Sequence, residues 1–223
     1  MPLLTDDVVA QLKGEFAKLQ NPVRLAVFSQ ALADPHSEQV KRLCEELVAL
    51  DPKLSVESYN FVLDKEKADS LGILRIPAIA VLGQEKDYGI RLYGLPSGYE
   101  FGMLIDAILD VSAGTSVVSA ETKAVLDGLE KSVHIQVFST PTCPYCPRAA
   151  RLAFQFALAS DKVTADSVEV TGFPELAQKY RISGVPKTVV GETLDLGFVG
   201  AQPESVLLDH VQQAAQAKSS LIV

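Results

Sequence analysis

Two of the three cysteines lie three residues apart in the stretch TPTCPYCPRAARLAF, residues 140 to 154. Such a pair can form a structural disulfide, supply two ligands to a metal, or act as a dithiol that exchanges electrons with another disulfide. Three cysteines are too few for a secreted disulfide framework, and in a reducing compartment a close pair is more often catalytic or metal-binding than structural. The cysteine count therefore favours chemistry at Cys143 and Cys146.

The residues around the pair predict a helix that begins at the first cysteine. Cys143 is expected at the N-cap and Pro144 at the first helical position, where a missing N–H has no consequence. Cys146 then lies in the first turn, close to Cys143 on one face. A helix N-terminus favours a negative charge, and cysteines so placed have pKa values of about 3.5 to 7.5, against about 8.5 for a free thiol. This pattern predicts that Cys143 attacks a partner disulfide and that Cys146 releases the mixed disulfide.

Three alternatives to a redox dithiol are less favoured. A disulfide that encloses two residues removes little entropy from the unfolded chain, so a purely structural bridge has a poor rationale. A zinc site needs two further ligands, but the sequence has no second CxxC, and His36, His134 and His210 are scattered. An iron–sulfur cluster shared between two chains is disfavoured by the rigid proline inside the motif. Neither a metal nor another cofactor is expected.

The sequence repeats one plan twice. NPVRLAVFS (21–29) and KSVHIQVFS (131–139) are both predicted to be short buried strands, each with a predicted helix before and after it. Each half continues with a strand, a short helix, a proline-containing strand, a further strand and a closing helix. Ser37 and Pro77 are 40 residues apart, as are Cys146 and Pro186, so the two halves are in register.

This order of elements predicts an α/β fold. Strands that alternate with helices, followed by two adjacent strands, are typical of a mixed sheet covered by helices. The small, polar stretch SAGTSVVS (112–119) is a suitable boundary between two such units. We therefore predict two domains, 1–114 and 115–223, each with a mixed central sheet flanked by helices.

The motifs of the second half resemble those of a known family. CPYC after a strand, a Gly-Val-Pro turn about 40 residues later and a hairpin with a closing helix resemble a thioredoxin or glutaredoxin domain. Two such halves in tandem, with GIRLYGLPSGYEF in the first, resemble the protein disulfide oxidoreductases that contain two thioredoxin folds. This resemblance covers nearly the whole chain and implies tandem thioredoxin folds with a redox-active second domain.

The resemblance also implies roles for individual residues. Cys143 is expected to be the nucleophile and Cys146 the resolving thiol, with a cis-proline facing them and the preceding backbone free to pair with an extended substrate. Val137 stands where thioredoxins have a buried aspartate, so no carboxylate is expected there as a proton relay. The expected substrate contacts are Val185, Pro186, Pro144 and Tyr145.

The first half keeps the plan but lacks the cysteines. DPHS places Asp34 and Ser37 where the family often has a first CxxC, and Asp34 with Pro35 is predicted to cap a helix instead. Cys44 lies on one helical face with Val40, Leu43 and Leu47, so we expect it in the core. The first domain is therefore expected to be redox-inactive.

Charge and hydropathy argue against two classes of partner, nucleic acids and membranes. The net charge of -8, without clustered Lys and Arg, argues against nucleic acid and against an anionic membrane surface. No apolar run reaches the roughly 20 residues of a membrane span, and MPLLTDDVVAQLKGEF lacks the features of a signal peptide. A cytoplasmic location is expected.

Three functions fit these observations. The first is a thiol–disulfide oxidoreductase that acts on protein disulfides. The second is an electron relay to a peroxiredoxin-type peroxidase, because the N-terminal region of the flavoprotein component of alkyl hydroperoxide reductase is similar; without a GxGxxG motif in this sequence, a separate thioredoxin-reductase-like flavoprotein would be its reductant. The third is a peptide-binding, chaperone-like module.

Overall fold

A computed structural model describes residues 2–30, 36–191 and 196–217. The elements of the first half are α1 (Asp6–Phe16), β1 (Val23–Ser29), α2 (Ser37–Val48), β2 (Leu54–Asn60), α3 (Lys65–Ser70), β3 (Ala78–Gly83), β4 (Asp87–Tyr93) and α4 (Tyr99–Ala113). Those of the second half are α5 (Ala120–Asp127), β5 (Val133–Ser139), α6 (Cys146–Ala159), β6 (Val163–Glu169), a 3-10 turn (Val170–Gly172), α7 (Pro174–Lys179), β7 (Lys187–Val190), β8 (Gly197–Val199) and α8 (Glu204–Gln216). The predicted repeat is confirmed, since both halves have the same order of helices and strands.

The eight strands formed by the described residues join in one mixed sheet, in the order β2-β1-β3-β4-β6-β5-β7-β8. In the first half β1 is parallel to β2 and antiparallel to β3, and in the second half β5 is parallel to β6 and antiparallel to β7. The halves meet where β4 pairs in parallel with β6, from Ile90 opposite Ala165 to Tyr93 opposite Val168. Each half thereby covers an edge strand of the other, which would otherwise expose unpaired backbone groups.

The strand directions bring the ends of β1 and β5 to the same edge of the sheet. β1 and β4 point the same way because both are antiparallel to β3, and the parallel pairing of β4 with β6 continues this direction to β5. We call this edge, where β1 ends at Ser29 and β5 at Ser139, the carboxyl edge. The CPYC motif follows β5 directly and therefore lies at this edge.

The sheet separates two apolar clusters. The first lies under α1, α2, α4, α5, α6 and α8, and its large buried members include Phe16, Leu47, Met103, Ile108 and Phe154. The second lies under the short helices α3 and α7 and includes Phe28, Tyr93, Phe138, Phe173 and Val189. Each cluster contains residues of both halves. Because burying one large apolar side chain contributes about 1.5–3 kcal/mol, each cluster stabilises the two halves together.

Cys44 belongs to the first cluster and is fully buried, as predicted. Burial raises the pKa of its thiol to about 12, and neighbouring Glu45 adds to the effect. Helix α2 begins at Ser37 with His36 at its N-cap position, whereas the predicted cap residues Asp34 and Pro35 lie outside the described residues. Across the ranges that the structure describes, none of the helices has both the length and the apolar character that a bilayer crossing requires.

Candidate active site

Cys143 and Cys146 form a disulfide between the end of β5 and the start of α6. Their sulfur atoms are 2.16 Å apart and their Cα atoms 5.5 Å apart, a separation that a disulfide accommodates. Cys146 is 0% exposed, whereas Cys143 retains 6% of its surface. Of the two, only Cys143 therefore presents surface to a partner molecule.

The predicted start of α6 is wrong. The helix begins at Cys146, with Tyr145 at the N-cap position and Pro147 within the first two helical positions. A start at Pro144 would place Pro147 fourth in the helix, where its missing N–H would have to donate to the N-cap carbonyl. With Tyr145 at the N-cap, the first helical hydrogen bond runs from Ala149 N to Tyr145 O, at 3.5 Å. Cys143 thus lies in the loop before the helix rather than at its cap.

The expected proline turn lies beside this loop. The Val185–Pro186 bond is cis, as the family resemblance implies, and Ile76–Pro77 in the first half is cis as well. Phe138 of β5 pairs with Lys187 of β7, so the next position of each strand sets Pro186 level with the residue that ends β5. The sheet register therefore brings the proline turn alongside the segment that leads to the disulfide.

The other predicted contact residues differ in exposure. Tyr145 is 68% exposed and Pro144 is also exposed, whereas Val185 is half-buried and Pro186 is buried. The carbonyl of Pro186 accepts a hydrogen bond from Gly200 N at 2.8 Å, which ties the turn to the segment after β8. Substrate binding by these four residues stays a prediction.

Glu100, in the first turn of α4, is a site residue that the sequence did not single out. Its carboxylate oxygen Oε1 accepts a hydrogen bond from Ser139 Oγ at 2.5 Å, at the end of β5. The residue is 3% exposed, and Oε2 has no hydrogen-bond partner among the described residues. The pKa of this carboxyl is raised from 4.5 to about 8, chiefly by burial; the hydrogen bond from Ser139 opposes the rise and nearby Glu169 adds to it.

The first half thus supplies a carboxyl group next to the redox segment. The expectation that Val137 offers no carboxylate is correct for β5 itself, since Val137 is a fully buried apolar residue. No sequence signal marks Glu100, because an acidic residue in the first turn of a helix is usual on any exposed helix. Only the contact between the halves shows that this one is buried.

Two of the three histidines contact residues other than the cysteines. His134, near the start of β5, pairs through Nε2 with Asp166 at 2.7 Å. His210 of α8 packs its ring edge-on against Phe198, with centroids 4.9 Å apart. Within residues 2–30, 36–191 and 196–217, no three His, Cys, Asp or Glu side chains are grouped so that they could hold a metal ion.

Comparison with known proteins places these features in a family. The profile of the Thioredoxin domain family matches residues 133–212. The crystal structure of a protein disulfide oxidoreductase from Aeropyrum pernix is similar with a TM-score of 0.87 and 30% identity, over 95% of this chain and 94% of that one. The NTD_N/C domain of the alkylhydroperoxide reductase AhpF from Enterococcus faecalis is similar with a TM-score of 0.84 and 27% identity, over 93% and 99%.

The similarity to alkyl hydroperoxide reductases is also found among curated relatives. The alkyl hydroperoxide reductase AhpF of Xanthomonas campestris is 26% identical over 196 residues, which cover 87% of this chain and 35% of that protein. The corresponding protein of Staphylococcus aureus is 26% identical over 187 residues and is covered to 33%. The chain spans about a third of the length of the curated relatives it matches. Together with the Cys143–Cys146 pair in a thioredoxin fold, these similarities show that the chain belongs to the family of thioredoxin-fold protein disulfide oxidoreductases.

Proposed function

We propose that this protein is a thiol–disulfide oxidoreductase that exchanges electrons with protein disulfides through Cys143 and Cys146. The observation that carries the proposal is the bonded pair at the carboxyl edge, of which only Cys143 has exposed surface. A dithiol in which one sulfur is accessible and the other is held directly behind it suits a two-step exchange. A purely structural bridge of this span would contribute little to stability.

The proposed reaction conserves atoms and electrons at each step. The Cys143 thiolate attacks one sulfur of the substrate disulfide, a mixed disulfide forms, and the other substrate sulfur leaves as a thiolate. The Cys146 thiolate then attacks the Cys143 sulfur, which forms the Cys143–Cys146 disulfide and releases the second substrate thiolate. Two electrons pass to the substrate, and the protein needs an external dithiol or flavoprotein reductant for the next cycle.

The substrate is proposed to lie across the proline turn as an extended segment. The backbone of Val185 would pair with it, as an added strand pairs with a sheet edge. Pro186 and Pro144 would shape the groove on either side of the disulfide, and the exposed ring of Tyr145 would pack against the substrate. A protein disulfide in a locally unfolded segment fits this arrangement.

Glu100 is proposed to hold a proton for the exchange. A carboxyl whose pKa is about 8 gains and loses its proton near neutral pH, which is the range in which a general acid or base is effective. Its hydrogen bond to Ser139 Oγ joins it to the strand that leads to Cys143. We infer that the ionised form of this carboxyl, which is populated near its pKa of about 8, is the form that takes up a proton during the exchange.

A second candidate function is an electron relay to a peroxiredoxin-type peroxidase. It is favoured by the similarity to the NTD_N/C domain of Enterococcus faecalis AhpF, which covers 99% of that domain. In this case the reductant would be a thioredoxin-reductase-like flavoprotein and the oxidant a peroxidase disulfide. Recycling of a peroxiredoxin, measured beside reduction of insulin at equal concentrations, separates the two candidates by their kcat/KM values.

We also propose the domain boundary at residues 114 and 115, a redox-inactive first domain, and a cytoplasmic location. The boundary is supported by the end of α4, where Gly114 adopts the left-handed conformation and closes the helix. The inactive first domain is supported by the burial of its one cysteine, Cys44. The location is supported by the small number of cysteines.

A redox titration with thiol trapping tests the main proposal. The protein is equilibrated in buffers of known potential, trapped with an alkylating reagent and weighed, with Cys44 as the internal control. We expect a reversible two-electron transition of Cys143 and Cys146 between roughly -300 and -120 mV, while Cys44 stays unmodified because burial raises its thiol pKa to about 12. A pair that shows no transition in this window contradicts the proposed function.

A further inference from the structure

We call the segment between β5 and α6, residues 140–145, the redox loop because it contains Cys143. The first half contacts this loop through the backbone of Tyr99. Tyr99 N donates a hydrogen bond of 2.9 Å to the carbonyl oxygen of Pro141, which precedes Cys143 by two residues. Tyr99 is the first residue of α4, and the N–H groups of a first helical turn have no partner within the helix. This donor is therefore available to the redox loop without any loss to the helix.

Gly98 makes the contact close. Its φ of +54° and ψ of -127° lie in a region that residues with a side chain rarely adopt. A Cβ at this position would approach the carbonyl carbon of Pro141 to 3.1 Å and overlap its oxygen. A Cβ added at Gly102, one turn further along, would meet no atom within 4 Å outside the helix's own backbone, so that position faces open space.

Glu100, two residues after Gly98, contacts the chain just before the redox loop. Glu100 Oε1 accepts the hydrogen bond of Ser139 Oγ, and Cys143 N donates to Thr140 O at 3.1 Å. Residues 98 to 100 thus contact the chain on both sides of Thr140. The short loop between β5 and Cys143 is fixed by the half of the protein that contains no redox cysteine.

We propose that the Gly98–Tyr99 turn positions the loop that carries Cys143 and thereby sets the reduction potential of the Cys143–Cys146 pair. This inference rests on the proposed function. A loop held in place keeps the Cys143 sulfur next to Cys146, which raises the effective concentration of one thiol for the other and favours the disulfide. Loosening the loop shifts the equilibrium toward the dithiol. Tyr99 and Gly98 are positioning residues, since they act through Pro141.

Two substitutions at one position test the hydrogen bond. Tyr99→Pro replaces the N–H donor by the ring Cδ, which also pushes the Pro141 carbonyl away, while proline suits a first helical position; Tyr99→Ala removes the same aromatic ring and keeps the donor. We expect the equilibrium constant for oxidation of the pair by glutathione disulfide to be at least threefold lower in Tyr99→Pro than in Tyr99→Ala. A threefold change corresponds to roughly 14 mV toward a more oxidising potential, since tenfold is about 30 mV. Equal constants in two folded variants overturn the inference.

A second pair of substitutions tests the close approach independently. Gly98→Ala displaces the Pro141 carbonyl, whereas Gly102→Ala adds the same methyl group to the same helix in open space. We expect the constant to fall in Gly98→Ala and to equal the wild-type value in Gly102→Ala. If both glycine variants fold and have the wild-type constant, Gly98 does not position the loop.

The wild-type chain supplies a readout that does not depend on folding of a variant. Hydrogen exchange at the Tyr99 amide is expected to be slow in the disulfide form and to change on reduction, while exchange as fast as that of an exposed amide in both forms contradicts the inference. Failure of the proposed function has a different signature. A wild-type pair without a reversible transition overturns the proposed function, whereas a normal wild-type transition that Tyr99→Pro leaves unchanged overturns only this inference.

Discussion

Replacing Glu100 by glutamine is expected to change how the stability of the fold depends on pH. Glutamine has nearly the same size and can still accept the hydrogen bond from Ser139 Oγ, but it does not ionise. Its amide N–H₂ would occupy the place of Oε2, which has no partner in the described part of the chain. That loss lowers stability by the same amount at every pH, so the pH dependence itself reports on the carboxyl.

The sign and size of the pH dependence of stability follow from the pKa of Glu100. Burial raises the pKa of Glu100 from 4.5 to about 8 in the folded protein, so between these values the folded state binds a proton that the unfolded state has lost. The free energy of unfolding therefore decreases as the pH rises through this window, by about 1.4 kcal/mol per pH unit. The contribution amounts to about 3 kcal/mol between pH 5 and 7 and to at most ~5 kcal/mol in full.

Urea unfolding of both proteins at pH 5, 6, 7 and 8 measures this effect, with the disulfide kept intact. The free energy of unfolding of Glu100→Gln, minus that of the wild type, is expected to rise steadily from pH 5 to pH 8. Glu121→Gln, in the exposed first turn of α5, is the matched control for the change from glutamate to glutamine. A difference for Glu100→Gln that does not vary with pH would show that this carboxyl ionises normally and would refute the reasoning.

Two further pairs of substitutions probe the cysteine pair and the pairing of β4 with β6. Cys146→Ser is expected to abolish turnover and to accumulate a mixed disulfide between Cys143 and the substrate, visible by mass spectrometry, whereas Cys143→Ser should form none; a mixed disulfide on Cys146 would reverse the assigned roles. Gly89→Ala should lower stability by about 1–3 kcal/mol, because φ is +75° and a Cβ would approach Thr164 Cγ2 of β6 to 2.8 Å. Gly14→Ala, in the interior of α1 with open space around it, should instead raise the free energy of unfolding by about 0.5–1 kcal/mol. Equal effects of the two glycine substitutions in urea unfolding would mean that the pairing of β4 with β6 tolerates displacement.

Local patterns were sufficient to predict the elements and the chemical group. The strands at Val23–Ser29 and Val133–Ser139 follow from short apolar runs, and their common spacing to Pro77 and Pro186 indicates a repeat without any structure. The cysteine pair could be predicted because a sequence separation of three residues keeps the two cysteines within the distance that a disulfide requires. The start of α6 was misplaced because Pro144 was considered alone, while the position of Pro147 decides where the first helical hydrogen bond can form.

The α/β repeat, the buried Cys44 and the closely spaced cysteine pair could be predicted from the sequence, since each depends on patterns visible along the chain. The pairing of β4 with β6, and with it the position of α4 against the loop that carries Cys143, is visible only in the folded chain. The sequences of these two strands, DYGIRLY and VTADSVE, do not specify which edge strand each one joins. Glu100 and Tyr99 became part of the site only through this pairing, because they contact Ser139 and Pro141 of the other half, about 40 residues away in the sequence.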